Sequence, residues 1–193
     1  MKSICLFCGS NKGVKPEYQT AAREFGRTLA EQGITLVYGA GKVGLMGVAA
    51  DAALEAGGKV IGIIPEFLKA KEVAHLGLTE LHVTETMHQR KAMMAELSDG
   101  FVALPGGFGT FDELFEILTW GQLALHRKPV GLLDVAGFYQ PLLAMARHAS
   151  SEGFVSSANL ELFAADSNVT GLLQRMREYK PMTTDKWLDL SRA

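Results

Sequence analysis

The chain has 193 residues, of which 48% are hydrophobic and 21% charged, so its composition excludes both a disordered chain and a fibrous one. Its 19 basic and 21 acidic residues give a net charge of −2, which offers no basic surface to a nucleic-acid polymer. The apolar runs fall far short of the roughly 18 residues of a membrane span, and the run after Lys2 is too short for a signal peptide. We therefore expect a cytoplasmic protein with one domain, residues 1–193.

Strand-like and helix-like segments alternate along the chain. Short apolar runs predict strands at 3–10, 34–38, 59–64, 81–83, 101–104 and 129–133. Helical periodicity and terminal signals predict helices at 16–32, 45–56, 86–98, 110–126, 138–151 and 168–179. Uniformly apolar strands separated by helices are typical of a parallel sheet covered on both faces. We therefore predict an α/β protein with a three-layer, Rossmann-like, doubly wound parallel sheet, whose ligands bind in the loops that follow the strands.

Cys5 and Cys8 have the C-x-x-C spacing of some redox and metal sites. Both lie in the first predicted strand, where residues three apart point to opposite faces and are about 10 Å apart. That separation exceeds the span of a disulfide, and no second Cys or His pair lies nearby in the sequence to complete a zinc site. We interpret both cysteines as core residues, and since the five histidines form no ligand motif, we expect no metal.

Glycine-containing loops follow the first two predicted strands. In the Gly-Ser-Asn loop around Ser10, small residues would let a ligand approach the backbone, and a plain turn explains them equally well. The segment 39–44 fits G-x-G-x-x-G between a strand and a helix, where a helix N-terminus can receive a phosphate. The next strand ends in Ile64-Pro65, however, without the acidic residue that binds a dinucleotide's ribose. Phosphate binding and close helix–strand packing are equal alternatives here, and NAD binding is disfavoured.

The loop at 104–113 carries the strongest signal. Pro105 ends a strand and three glycines free the backbone, while the absence of a following Lys-Ser/Thr pair excludes a Walker A loop. With Thr110 as the helix N-cap, the N–H groups would form a nest suited to a phosphate monoester. Thr110 and Glu113 also fit a capping box, in which the glutamate merely bonds the backbone. Taken alone, this pattern favours the cap over catalysis.

Arg90 lies in the middle of the apolar stripe of the helix at 86–98. A buried guanidinium needs an anionic partner. That partner could be Glu113 or Asp112 in a structural ion pair, and we favour a ligand phosphate or carboxylate, because the planar fork of arginine suits oxyanions. Lys91 lies at the margin of the stripe, where the pattern favours a solvated charge.

The helix at 110–126 is apolar on two sides, which predicts that both sides are buried, the second by another subunit or a hydrophobic substrate. Trp120 and Leu123 lie on the arc that also holds the acidic residues. The broad apolar face comprises Phe111, Leu114, Phe115, Ile117, Leu118 and Leu125.

Two motifs resemble the signature of the "Lonely Guy" family of cytokinin riboside 5′-monophosphate phosphoribohydrolases, many members of which carry the label "possible lysine decarboxylase". They are Met87-His-Gln-Arg-Lys91 and Pro105-Gly-Gly-Phe-Gly-Thr-Phe-Asp-Glu113. The likeness covers most of the chain, since the segments 8–10, 38–47 and 128–133 also fit. Ala40 departs from it, because many members have glycine there.

The resemblance implies a modified Rossmann fold, usually dimeric, that hydrolyses the N-glycosidic bond of a nucleoside 5′-monophosphate without a cofactor. Arg90 and Glu113 would be the catalytic pair, and a carboxylate beside an oxocarbenium-like state would stabilise its charge and orient water. Arginine does not deprotonate in proteins and cannot be the general acid. The substrate- and phosphate-binding set is then Ser10, Gly41, Glu72, Lys91, Gly106, Gly107, Phe108, Gly109, Thr110 and Thr119.

Other functions remain open at this point. The same fold could bind a nucleotide or a phosphorylated cofactor as a carrier without turning it over. Lysine decarboxylation is disfavoured, because neither Lys42 nor Lys91 has the arrangement of a pyridoxal-phosphate Schiff base. The base is also open, since an isoprenoid-adenine pocket could use Met87, Met94, Phe108 and Trp120, which are equally plausible as core or dimer contacts.

Overall fold

The computed structural model describes residues 1–69 and 73–181. Its strands are β1 Ser3–Phe7, β2 Thr35–Tyr38, β3 Val60–Pro65, β4 Glu80–Thr84, β5 Phe101–Ala103, β6 Val130–Leu133 and β7 Phe163–Asp166. Its α-helices are α1 Pro16–Glu31, α2 Gly44–Glu55, α3 Met87–Glu96, α4 Phe108–Gln122, α5 Gln140–Ser151 and α6 Val169–Glu178. Short 3₁₀ turns lie at Glu66–Leu68, Val135–Gly137 and Ser157–Leu162.

The seven strands form one sheet in the order β4-β3-β2-β1-β5-β6-β7, and every pair of neighbours is parallel. Helices α1, α2 and α6 pack on one face, and α3 and α4 pack on the other with residues of α5. The predicted doubly wound α/β fold is therefore confirmed. The strand order reverses between β1 and β5, and at such a switch point the loops after the two strands diverge and leave a crevice.

The apolar stripe of α1 shows how the sequence builds one layer. Ala22, Phe25 and Leu29 recur at helical spacing and are fully buried against the sheet. Burying a side chain such as Phe25 or Leu29 contributes about 1.5–3 kcal/mol. Helix α1 begins at Pro16, whose fixed φ suits the first turn, and a glycine at φ +67° follows its C-terminal residues, as predicted.

The predicted elements miss β7 and misplace several ends. Strand β7 is four residues long and half-buried at the edge of the sheet, so its sequence lacks the apolar run of a central strand. The helix predicted at 110–126 begins two residues earlier and ends four residues earlier. Its start lies among glycines, where propensity favours a loop and tertiary packing decides.

The two cysteines are free and buried, and they belong to the hydrophobic clusters on opposite faces of the sheet. Burial raises the pKa of the Cys5 thiol and also that of the Cys8 thiol. Both thiols are therefore protonated at neutral pH and are poor nucleophiles. The prediction that they are core residues is confirmed.

Within the described ranges, no helix is both long and apolar enough to cross a membrane. The same ranges contain no cluster of three or more His, Cys, Asp or Glu side chains that could hold a metal ion.

Candidate active site

A cavity of about 240 Å³ opens at the switch point, over the carboxyl ends of β1, β2 and β5. It lies between the loop after β1, the first turns of α4 and one face of α3. The lining residues are Leu6, Cys8, Gly9, Ser10, Gly39, Met46, Met87, Arg90, Gly107, Phe108, Gly109, Thr110, Asp112 and Glu113.

The N-terminus of α4 points into this cavity. The helix begins at Phe108, with Gly107 as an N-cap that has no side chain to bond the first turn. The first helical bond runs from Phe111 N–H to the Gly107 carbonyl, so the N–H groups of residues 108–110 have no acceptor within the helix. A helix end of this kind attracts an anion through its N–H groups and its dipole.

Thr110 is the third residue of α4 and not its N-cap. The capping-box interpretation of Thr110 and Glu113 is therefore wrong, because the helix starts one turn too early for Glu113 to reach back to its cap. Gly106 explains the early start, since a Cβ there would lie 2.1 Å from Thr110 Oγ1 and 2.8 Å from the Gly9 nitrogen. Because residue 106 is glycine, the loop before α4 can pack closely against the loop after β1, where Gly9 N–H donates to the Pro105 carbonyl at 3.0 Å.

Arg90 crosses from α3 to the end of β2. It is 4% exposed, as its place in the apolar stripe predicts, and its Nη2 donates to the Gly39 carbonyl at 3.0 Å. A Cβ on Gly39 would lie 1.9 Å from the same Nη2 atom. The guanidinium therefore occupies space that only glycine leaves free, and the backbone of this turn is one of its partners.

Glu113 lies one helical turn beyond the open end of α4 and lines the same cavity as Arg90. After burial, the Glu113 carboxylate is the next cause that raises the pKa of the Cys5 thiol, and the Arg90 guanidinium opposes it. A carboxylate and a fixed guanidinium beside an anion-binding helix end can hold a phosphorylated ligand and stabilise a developing cation on it.

Several predicted binding residues lie outside the cavity lining. Lys91 contacts Asp112 at 3.2 Å and Glu116 at 3.0 Å, and so joins α3 to α4. Partial burial lowers the pKa of Lys91, but the bonds to Glu116 and Asp112 outweigh it and the net shift is upward. Thr119 is exposed, and its hydroxyl donates to the Phe115 carbonyl of the same helix at 2.7 Å.

Gly41 pairs with Ala74 in a single bridge, and Gly106 lines a neighbouring cavity of about 190 Å³ instead. Glu72 lies outside the described residues. Five of the predicted binding residues do line the main cavity: Ser10, Gly107, Phe108, Gly109 and Thr110.

The G-x-G-x-x-G loop serves packing in this structure. Within the loop, Lys42 N–H donates to the Val73 carbonyl, and in the first turn of α2 Leu45 N–H donates to the Gly9 carbonyl. A Cβ on Gly44 would lie 2.2 Å from the Ser10 backbone. Of the two alternatives that the sequence leaves open, the contacts favour helix–strand packing, and among residues 39–44 only Gly39 reaches the cavity.

The exposed side of α4 and the turn after it carry several apolar residues. Phe115, which the sequence places on the core-facing side, is 41% exposed, and Leu123 and Leu125, just beyond the helix, are exposed as well. Trp120, expected on the second face, instead packs against the core. The core-facing arc is narrower than predicted, since its buried apolar residues are Leu114 and Ile117.

Sequence reasoning missed four contributors to the cavity: Leu6, Cys8, Met46 and the Gly39 carbonyl. The sequence pattern predicts that the first three are core residues, and the structure does place them in the core. Their local pattern contains no sign that they also border a cavity. Met87 and Phe108 line the cavity as suggested for an apolar base pocket, whereas Met94 and Trp120 belong to the core.

A sequence profile of the family described as "possible lysine decarboxylase" matches residues 46–176. The chain belongs to this family, the Lonely Guy family. The cytokinin riboside 5′-monophosphate phosphoribohydrolase of Rhodococcoides fascians is 49% identical over 177 residues, which cover 91% of this chain and 89% of the relative. The cytokinin riboside 5′-monophosphate phosphoribohydrolase LOG7 of Arabidopsis thaliana is 47% identical over 180 residues, which cover 93% of this chain and 83% of LOG7.

Solved structures share the fold at lower identity. The molybdenum cofactor carrier protein MCP of Chlamydomonas reinhardtii is 24% identical, with a TM-score of 0.68 over 92% of this chain and 98% of its own. Ala40 has φ +59°, a left-handed conformation that glycine adopts without strain.

No lysine is among the described residues that line the cavity of this Lonely Guy protein. Decarboxylation through pyridoxal phosphate requires a lysine Schiff base. The ammonium of Lys91 is instead held between two carboxylates. The site therefore does not fit the reaction in the family's description.

Proposed function

We propose that this protein hydrolyses the N-glycosidic bond of adenosine 5′-monophosphates, plain or N6-modified. Its close relatives are named cytokinin riboside 5′-monophosphate phosphoribohydrolases. Water is consumed, and the products are the free base and ribose 5-phosphate. The observation that carries the proposal is one cavity holding an open helix N-terminus, Glu113 and the buried Arg90. At about 240 Å³ the cavity is small for a ligand site, which favours a mononucleotide over a dinucleotide such as NAD.

Each group has a defined role in this reaction. The phosphate binds at the N–H groups of residues 108–110, with Gly107 and Gly109 leaving open space around it. Glu113, one turn further along α4, faces the ribose of the same ligand, stabilises the oxocarbenium-like transition state and orients the attacking water. Arg90 stays charged throughout, clamps the ligand and orients Glu113.

The test is an incubation of purified protein with AMP and with isopentenyladenosine 5′-monophosphate, without added cofactor, following free base by chromatography. We expect base from both nucleotides and much less from adenosine, because the nucleoside lacks the phosphate that the helix end binds. The ratio of rates for the two nucleotides measures how well the pocket beside Met87 and Phe108 accepts an isoprenoid chain. Binding of AMP without any release of base would instead identify a carrier.

We infer that the protein is a homodimer and that the outer face of α4 forms the interface. Phe108 and Phe115 are seven residues apart on α4 and so lie on one face, and Phe108, 92% exposed, also lines the cavity. Leu123 and Leu125 are exposed just beyond the end of the helix. Large apolar side chains exposed in this way favour an interaction site. The interface would complete the apolar wall of the site.

Light scattering after size exclusion is expected to give twice the chain mass for the wild type and the chain mass for Leu123→Glu, because a buried unpaired carboxylate is costly. Val14→Glu is the matched control, since Val14 is 96% exposed and lies in the loop after β1 and not on α4. A monomeric wild type, or a Leu123→Glu variant that remains dimeric, contradicts this interface.

We also propose a cytoplasmic location. Both cysteines are free thiols, which agrees with a reducing compartment.

A further inference from the structure

A buried histidine–aspartate pair lies outside the cavity, between α2 and the segment that precedes β4. His75 is 3% exposed, and its Nε2 lies 2.8 Å from Oδ1 of Asp51, whose side chain is 48% exposed. Neither residue lines the cavity. A nearly fully buried imidazole with one specific carboxylate partner is a costly arrangement for a residue with packing as its sole role.

The hydrogen bonds define the tautomer of His75. The backbone N–H of Gly77 donates to Nδ1 at 3.1 Å, so Nδ1 carries no proton. Nε2 therefore bears the N–H and donates it to Asp51. With both nitrogens used, the ring has one orientation and holds residue 77 and α2 at a fixed separation.

The backbone next to this ring holds the turn after β2. His75 N–H donates to the Ala40 carbonyl at 2.9 Å, and Lys42 N–H donates to the Val73 carbonyl at 3.0 Å. Ala40 has φ +59°, a conformation that alanine keeps only where its surroundings impose it. The His75 segment supplies part of that constraint.

The residue before Ala40 is Gly39, whose carbonyl accepts the hydrogen bond from Arg90 Nη2 at 3.0 Å. A path of direct bonds thus runs from Asp51 through His75 to the 39–42 turn and on to the guanidinium in the cavity. We propose that His75, held by Asp51, is a positioning residue that sets the orientation of Arg90 for the hydrolysis. This inference rests on the proposed function.

Kinetics with AMP test this role. His75→Ala is expected to lower kcat about 10- to 100-fold, because a displacement of the order of 1 Å at a reacting group costs about 100-fold. Asp51→Ala should give a similar loss of kcat. The Asp51 side chain is half-exposed, so its removal leaves no buried cavity, and this variant tests the role even if His75→Ala fails to fold. His75→Gln keeps an N–H near the Nε2 position and should restore most of kcat. His82→Ala is the matched control, because His82 and Glu80 form an exposed pair at 3.3 Å on β4, and it should leave kcat unchanged.

A double-mutant cycle separates positioning from general stability. In an Arg90→Lys background, where an ammonium replaces the planar fork, His75→Ala should cost less than threefold, because the group that His75 positions is already altered. Equal fold-losses in both backgrounds, or a wild-type kcat in His75→Ala and Asp51→Ala, overturn the proposal.

The activity of the wild type distinguishes a failure of this inference from a failure of the proposed function. If the wild type releases no base, the hydrolase proposal fails, and the same cycle is read from AMP dissociation constants by calorimetry. A coupling between His75 and Arg90 in those constants still supports the positioning role, and additive effects overturn it.

Discussion

Glu113→Gln is expected to lower kcat for base release by about 10²- to 10⁴-fold, the range over which a positioned acid–base group acts, with little change in the dissociation constant for AMP. The amide keeps the shape of the side chain but carries no charge, so it cannot stabilise the oxocarbenium-like state or take a proton from water. Binding should survive, because the proposed phosphate site is the backbone at the N-terminus of α4, which this substitution leaves intact.

Glu116→Gln is the matched control for this variant. Glu116 is a carboxylate on the same helix, bound to Lys91 at 3.0 Å and outside the cavity lining. It should keep kcat within a small factor of the wild-type value, because it leaves the described residues of the cavity lining unchanged. If Glu113→Gln turned over AMP at the wild-type rate, or if Glu116→Gln lost as much activity, the catalytic role of Glu113 would be refuted.

Gly39→Ala is expected to reduce kcat/KM by about 10²-fold or more although residue 39 has no side chain that could react. The new Cβ would lie 1.9 Å from Arg90 Nη2 and 3.0 Å from its Cζ. The backbone of β2 is held in the sheet, so the flexible end of Arg90 moves instead and leaves its place in the cavity. The added methyl group overpacks this site and should lower the free energy of unfolding by about 1–3 kcal/mol.

Chemical denaturation in an Arg90→Ala background checks this mechanism. With the guanidinium removed, the methyl group of Gly39→Ala has room, so it should cost less stability there than in the wild type, and it should cause no further loss of activity. Equal destabilisation in both backgrounds would mean that backbone strain at residue 39, and not the collision with Arg90, is the cause.

Arg90 shows where sequence reasoning succeeds and where it stops. Its burial follows from a local rule, because its neighbours at helical spacing are apolar, and the structure agrees. Its contact with the Gly39 carbonyl joins residues 51 apart, and no local pattern specifies which backbone oxygen will lie there. Lys91 is similar, since its place at the margin of the stripe is local, whereas Asp112 and Glu116 come from another helix.

Helix α4 shows the same division within one element. The Pro-Gly-Gly-Phe-Gly-Thr loop identifies an anion-binding helix start, but the residue at which the helix begins depends on how Gly106 packs against Gly9 and Thr110. Phe115 is exposed although it shares the predicted apolar face. The spacing of apolar residues says which of them lie on one side of the helix. How much of that side is covered depends on where the helix lies against the sheet, which no local pattern specifies.

The sequence by itself determined the doubly wound parallel sheet, the loop at 104–113 as a candidate anion site and the burial of Arg90. These features follow from periodicity, apolar runs and glycine placement, which act within a few residues. The catalytic roles of Arg90 and Glu113 came from the family resemblance instead, since the local pattern at Glu113 favours a helix cap. Only the tertiary structure decided the partners of Arg90 and Lys91, the packing role of the 39–44 loop and the buried His75–Asp51 pair. Those contacts join segments far apart in the chain, and their geometry exists only once the sheet and its helices have packed together.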